Sequence, residues 1–285
     1  MTSSSTAVAP RRAGFWQRFS RQPGGLIAAA ILVLLYLGAI AGPLLYRVSP
    51  TLADPLRSTA APSAAHWLGT DELGRDELAR LLSGGRVTLA VGLVSMLVAM
   101  VAGSLVGSLA GYYRGWTETV LMRLVDVFMA IPAFFLILAE LTVFGRSPLA
   151  VIVVVGLSYW VQVARIVYAE FVKYRDREFV EAQLAIGSPA WRIMFIHIFP
   201  QALPSAVVLT TLGIAWSIMT ETGLSYLGFG IQPPLASWGN MLQNAQTYLW
   251  TKPALAVYPG ALIALTVLAF NLLGNALRDL LDPKL

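Results

Sequence analysis

The sequence predicts an all-α membrane protein of six transmembrane helices. Three observations carry that expectation: 57% of the 285 residues are hydrophobic, only 12% are charged, and charge-free stretches recur at the length of a membrane span. A soluble domain carries about 25% charged residues, so this much apolar surface needs lipid as its solvent. The chain has no cysteine, which excludes a disulfide framework, a thiolate metal site and a cysteine nucleophile. Its net charge of +5 comes without a long basic stripe or a basic–aromatic interleave. A nucleic-acid surface would show one or the other, and asymmetric membrane topology accounts for the excess better.

A spanning helix needs about 20 mostly apolar residues. The first candidate runs from Gly24 to Tyr46, between Arg21 and Arg47, and the second from Val87 to Tyr113, between Arg86 and Arg114. The third lies between Arg123 and Arg146, with Asp126 and Glu140 towards its ends. The fourth covers Ser147 to Ala164, the fifth Leu203 to Glu221, and the sixth much of Pro253 to Leu277. This divides the chain into a tail at 1–23, a first helix at 24–46, an outer loop at 47–86 and a five-helix core at 87–285. The first span outlasts the roughly 7–15 apolar residues of a secretory signal, and no small-x-small site follows, so it is expected to be a retained anchor. With the N-terminus inside, thirteen of the twenty Lys and Arg fall on inner segments. Three of the outer Arg neighbour Asp71, Glu72, Asp76 and Glu77. The bias places both termini in the cytoplasm.

Within the spans, Gly103, Gly107 and Gly111 repeat at four-residue spacing and share one helix face. Such a stripe admits a close neighbouring backbone, and packing within the subunit is the expected use. Asp126 and Glu221 are charges in apolar surroundings, where each costs about 2.5–3.5 kcal/mol on insertion scales. Asp126 can pair with Arg123 at i,i+3 or belong to a translocation path. Glu221 has no basic residue within one turn, which leaves a cavity-facing role open. Pro132 and Pro204 are expected to kink or cap their helices. His66 and His197 read as surface groups, and Asn271 and Asn275 as interhelical hydrogen bonders.

Between the fourth and fifth spans the chain reads YAEFVKYRDREFVEAQLAIGSPAWRIMFIHIFPQALP. Two helical patterns meet at GSP. Gly187 fits a C′ position with positive φ, Ser188 can cap the next helix and Pro189 can occupy its first position. Trp191, Phe195 and Ile198 then fall on one face. The expected result is a short helix, a sharp corner and a second short helix, which would otherwise read as an amphipathic connector on the lipid surface.

Here the sequence resembles a family. EAQLAIG followed by IFP is similar to the EAA loop of ABC importer permeases, with Glu181, Ala182, Gly187, Ile198 and Pro200 matching; Gln183 replaces an Ala and Phe199 a Leu. HWLGTDELGRDELARLLSGGRVTLAVGL, GLSYLGFGIQPPLASWGNML and LTVLAFNLLGNALRDLLDP resemble segments of the C-type subunits of dipeptide, oligopeptide and nickel importers, in the same order. The resemblance implies the type I importer permease fold, and a cytoplasmic coupling loop at 170–202 whose coupling helix is seated in a cytoplasmic ATPase. It also implies two ATPase subunits that bind ATP and Mg, a second homologous permease and an extracytoplasmic binding protein. No cofactor is implied for this chain. The absence of GxxxxGK[ST], HExxH and GxSxG argues against an ATPase, a metalloprotease or a serine hydrolase. A secondary transporter would usually carry an internal repeat, and none is visible. Cargo is expected to be a short peptide, with nickel or glutathione as alternatives; a self-contained secondary transporter and a membrane scaffold without a transport path are the alternative roles.

Overall fold

The computed structural model describes residues 15–281, so the basic residues Arg11, Arg12 and Lys284 lie outside it. Among the described residues the chain is helical, with a single isolated bridge between Thr70 and Asp76. The helices are α1 (Phe15–Phe19), α2 (Pro23–Leu45), α3 (Glu77–Tyr112), α4 (Trp116–Ala130), α5 (Ala133–Phe144), α6 (Pro148–Tyr174), α7 (Glu178–Ala185), α8 (Ala190–Arg192), α9 (Phe199–Tyr226), α10 (Trp238–Ala245) and α11 (Ala254–Leu281). Four of them, α2, α3, α6 and α11, are long and apolar enough to cross a membrane, and so is the continuous stretch Ala190–Tyr226. A sixth crossing exists only if α4 and α5 count as one.

The third expected span is bent at the proline expected to kink it. It breaks at Ile131–Pro132, and its two halves meet at 93°. Pro132 offers no N–H to a continuing helix and forces the residue before it out of the helical region; Ile131 is extended at φ −90°, ψ 125°. Taken alone, α5 is about 18 Å long, short of the hydrocarbon thickness of about 30 Å.

Three other spans are longer than the charge-free rule implied, the fifth running past Glu221 to Tyr226. The second begins at Glu77, capped by the Asp76 carboxylate, which accepts from Ala79 N–H at 2.8 Å. The fourth continues to Tyr174. Both run through arginines because these find partners on other elements. Arg165 of α6 donates to Asp126 of α4 at 2.6 Å.

The case of Arg86 is more specific. Pro43 lies inside α2 and cannot donate to the carbonyl of Ala39. Arg86 Nε donates there at 2.7 Å, and its Nη2 donates to the Ile40 carbonyl at 2.5 Å. The guanidinium thus fills the proline gap. Arg86→Met is expected to cost about 1–2 kcal/mol through the orphaned carbonyl, read as a lower thermal midpoint of the purified complex. In a Pro43→Ala background, which restores the backbone donor, the same change should cost clearly less; an equal cost would sink this account.

The glycine stripe sits where close approach is needed. A Cβ on Gly103 would lie 2.5 Å from the Trp160 carbonyl oxygen, and one on Gly107 2.5 Å from that of Ala164. Gly111 faces the Phe171 Cβ. All three partners are on α6, so the stripe packs within the subunit. The main core gathers around α3, α6, α9 and α11, with Phe171, Ile193, Ile198 and Ile218 fully buried.

Candidate coupling turn and polar groups of the bundle

The segment between α6 and α9 turns sharply because of its backbone hydrogen bonds. At the end of α7, Gly187 takes φ +76°, as its position in the sequence leads one to expect. Its N–H donates to the Leu184 carbonyl and that of Ser188 to the Gln183 carbonyl, both at 3.0 Å. This is the two-bond helix stop that left-handed backbone at C′ makes possible. Nothing lies within 4 Å of where a Gly187 side chain would begin, so the requirement there is for a backbone conformation, not for space.

Beyond the corner the expectations need correction. Ser188 is not the cap of the following helix: its hydroxyl donates back to Gln183 Oε1 at 2.7 Å. Pro189 occupies the N-cap position in extended geometry. The following helix is not separate either. α8 runs through a π-helical segment, Ile193–Ile198, directly into α9, with Pro200 in the first turn of α9 and exposed. The extra residue per turn in that segment shifts the register. Trp191 is 60% exposed while Ile198 is fully buried, so the expected common face does not exist. Leu184, Ile186 and Trp191 instead form an exposed apolar rim around the corner. Glu181 and Ala182 are exposed on α7, and Glu181 has no ion-pair or hydrogen-bond partner among the described residues.

Both membrane carboxylates have partners among the described residues. Asp126 keeps its pair with Arg123 at 3.6 Å, but the closer partner is Arg165. Glu221 is fully buried. It accepts from the Ser225 hydroxyl at 2.7 Å and from the Thr88 hydroxyl at 3.3 Å. Those two oxygens in turn accept from the backbone N–H groups of Ile231 (3.0 Å) and Trp238 (3.1 Å). Glu221 thus anchors the 227–238 loop to α3 and α9. The histidines and asparagines also depart from expectation. His66 Nδ1 lies 2.8 Å from Asp76, and the His197 Nε2 is buried without a partner among the described residues. Asn271 bonds the Val267 carbonyl of its own helix, and Asn275 is exposed.

At the end of the bundle opposite the turn lies a cluster whose burial the sequence reading missed. Asp71 Oδ2 sits 2.6 Å from Arg75 Nε and 3.1 Å from Arg80 Nε, and Arg75 also reaches Glu72 at 2.7 Å. The side chains of Asp71, Arg75 and Arg80 are no more than 4% exposed. Tyr46 at the end of α2 donates to Asp76 at 2.8 Å. Burial, followed by that hydrogen bond, raises the Tyr46 phenol above its ordinary range, so it remains a donor. The alternation of acids and Arg was visible in the sequence; their enclosure by α10 and α11 was not.

Residues 103–285 match the model of the binding-protein-dependent transport system inner membrane component, and residues 12–62 that of the N-terminal membrane domain of oligopeptide transport permease C. The chain is 40% identical over 272 residues to the glutathione transport system permease protein GsiD of Pectobacterium atrosepticum, covering 95% of this chain and 90% of that one. It is 42% identical over 264 residues to a probable peptide ABC transporter permease of Sinorhizobium fredii, covering 93% and 90%. In fold it is similar to a chain of the inward-facing MetNI methionine ABC transporter, with a TM-score of 0.57 at 20% identity over 70% of this chain and 96% of that one. The chain belongs to the binding-protein-dependent transport system inner membrane component family: it is a C-type, multi-pass inner-membrane permease of an ABC importer, whose ATP hydrolysis resides in separate subunits.

Proposed function

We propose that this permease imports short peptides handed over by an extracytoplasmic binding protein, as one half of a heterodimer with a second homologous permease. The observation that supports this reading best is the near full-length similarity to permeases named for glutathione and for peptides. Glutathione is itself a tripeptide, so both names point to one cargo chemistry. Two cytoplasmic ATPase subunits bind ATP and Mg, and this chain needs no cofactor of its own. Both termini lie in the cytoplasm, which the placement of thirteen of the twenty Lys and Arg supports.

The α7 corner is the coupling contact. Its exposed Leu184, Ile186 and Trp191 form an apolar rim that a partner surface would cover, and Glu181 is free to meet a basic group there. ATP-driven closure of the ATPases moves this corner, and the continuous helical run from α8 into α9 carries the motion into the membrane.

The deciding experiment is uptake by the reconstituted complex with its binding protein, competed by dipeptides, an oligopeptide, glutathione and a nickel chelate. Peptide or glutathione should stimulate ATP hydrolysis and accumulate. Stimulation by the nickel chelate alone would overturn the cargo assignment. Reporter fusions after residues 60, 145, 180 and 245 should read out, out, in and out, and an external signal at 180 would remove the coupling assignment.

A further inference from the structure

An amide held in the middle of a membrane span without a partner is costly, because lipid offers it no hydrogen bond. Gln162 is in that position. It lies near the midpoint of α6, is exposed in the isolated chain, and has no hydrogen-bond partner among the described residues. Together with Tyr159, Leu209, Gly213 and Trp216 it lines a cavity of about 150 Å³. Trp216 is 65% exposed, and the Tyr159 hydroxyl lies 3.2 Å from that of Thr220. Leu209 also lines a second cavity, of about 360 Å³, further along α6 and α9 towards the coupling corner, where Ser205 and Arg278 reach the wall. The two cavities adjoin at Leu209, in a trough along α6 and α9. Its lining is largely apolar apart from Tyr159 and Gln162 at mid-span and, at the mouth, Arg278 and Ser205, whose hydroxyl donates to Glu170 at 2.8 Å.

The chemistry of this lining selects an occupant. A carboxamide both donates and accepts, which matches the one N–H and one C=O that each peptide unit presents. A bare divalent cation is held by carboxylate or imidazole groups, and no Asp, Glu or His lines either cavity. A lipid chain would leave the amide unpaired.

We propose that this trough is the wall this subunit contributes to the translocation path, and that Gln162 hydrogen-bonds the backbone of a passing peptide. The peptide contact rests on the importer reading given above and deepens it, replacing Glu221 and Asp126 as the path residues.

The chain has no cysteine, so Gln162→Cys introduces one thiol into the complete transporter, assembled in vesicles with cysteine-free partners. A charged, water-soluble methanethiosulfonate should modify that thiol and leave a control thiol from Leu37→Cys on α2 untouched. Turnover with ATP and peptide-loaded binding protein should change the labelling rate at least about threefold, since water access is then gated. Gln162→Leu should lower maximal uptake about fivefold, the effect of one hydrogen bond unmade. The concentration of loaded binding protein at half-maximal rate should not move, and Gln162→Asn should recover part of the loss. Modification by a lipid-soluble maleimide alone, or wild-type uptake by Gln162→Leu, would overturn the proposal. If the wild-type complex moves only a nickel chelate, the peptide contact falls together with the importer's cargo. Labelling by the charged reagent then still decides whether the trough is the path.

Discussion

Gly187→Val yields a subunit that inserts in the membrane, recovers its ATPase partners poorly and does not transport. The reasoning begins with the backbone. Gly187 holds φ +76°, a region that costs an L-residue about 1–2 kcal/mol and a β-branched one more. Both hydrogen bonds that stop α7 depend on that conformation. A valine that returns φ to negative values releases them, and the exposed rim of Leu184, Ile186 and Trp191 loses its shape. The spans do not depend on this residue, since nothing packs within 4 Å of the position. That openness supplies a control. Asn tolerates the left-handed region far better than other residues, so Gly187→Asn should retain most transport although Asn is bulky. Glu181→Ala, which removes an exposed charge and leaves the corner intact, should give a milder defect. Co-purification of the ATPases and substrate-stimulated ATP hydrolysis, measured across the three variants, decide the matter. Equal loss in the Asn and Val variants would mean that side-chain bulk at the ATPase surface matters and that backbone conformation does not.

What the sequence made legible follows from the kind of signal each feature leaves. The first span was placed within a residue, at Pro23–Leu45, because no charge interrupts it. The corner at Gly187 was legible because a helix stop is local chemistry. The second and fourth spans were underestimated because Arg86 and Arg165 stand inside helices, Arg86 donating to the Ala39 and Ile40 carbonyls and Arg165 paired with Asp126. Those partners are distant in sequence, and a charge-free rule cannot see them. The same limit explains Glu221. A carboxylate in an apolar run looks like a path residue until Thr88 and Ser225 are found against it. Gln162 left the opposite trace: it carries no charge and broke no run, so nothing in its neighbours marked it. Its significance comes from a cavity that α6 and α9 form together. The π-helical register at Ile193–Ile198 was likewise invisible, since it follows from how the segment joins α9 and from no residue type in it.

Asp71→Ala should be among the most damaging single changes outside the coupling corner. The carboxylate serves two buried guanidinium groups through one oxygen, Arg75 at 2.6 Å and Arg80 at 3.1 Å. Its other oxygen accepts from the N–H groups of Leu73 and Arg75, each at 2.9 Å, and so shapes the turn that leads into α3. Arg75 retains Glu72 when Asp71 is lost. The Arg80 guanidinium loses its one ion-pair contact among the described residues, and both of its terminal nitrogens are already buried without hydrogen-bond partners there. Breaking a buried pair from one side leaves an uncompensated charge and costs about 3–5 kcal/mol, against a total stability of about 5–15 kcal/mol for a typical fold. The damage should be local. The 54–76 loop should become sensitive to added protease, and binding-protein-stimulated ATP hydrolysis should fall while the ATPases still co-purify. Asp71→Asn keeps an acceptor for the turn but not the charge, so it should fall between wild type and Asp71→Ala. Adding Arg80→Met to Asp71→Ala removes the stranded cation and should recover part of the thermal midpoint, because an apolar replacement of both partners is often tolerated. A double variant that loses the full sum of the two single losses would show that Asp71 acts through the turn alone and that Arg80 is not coupled to it.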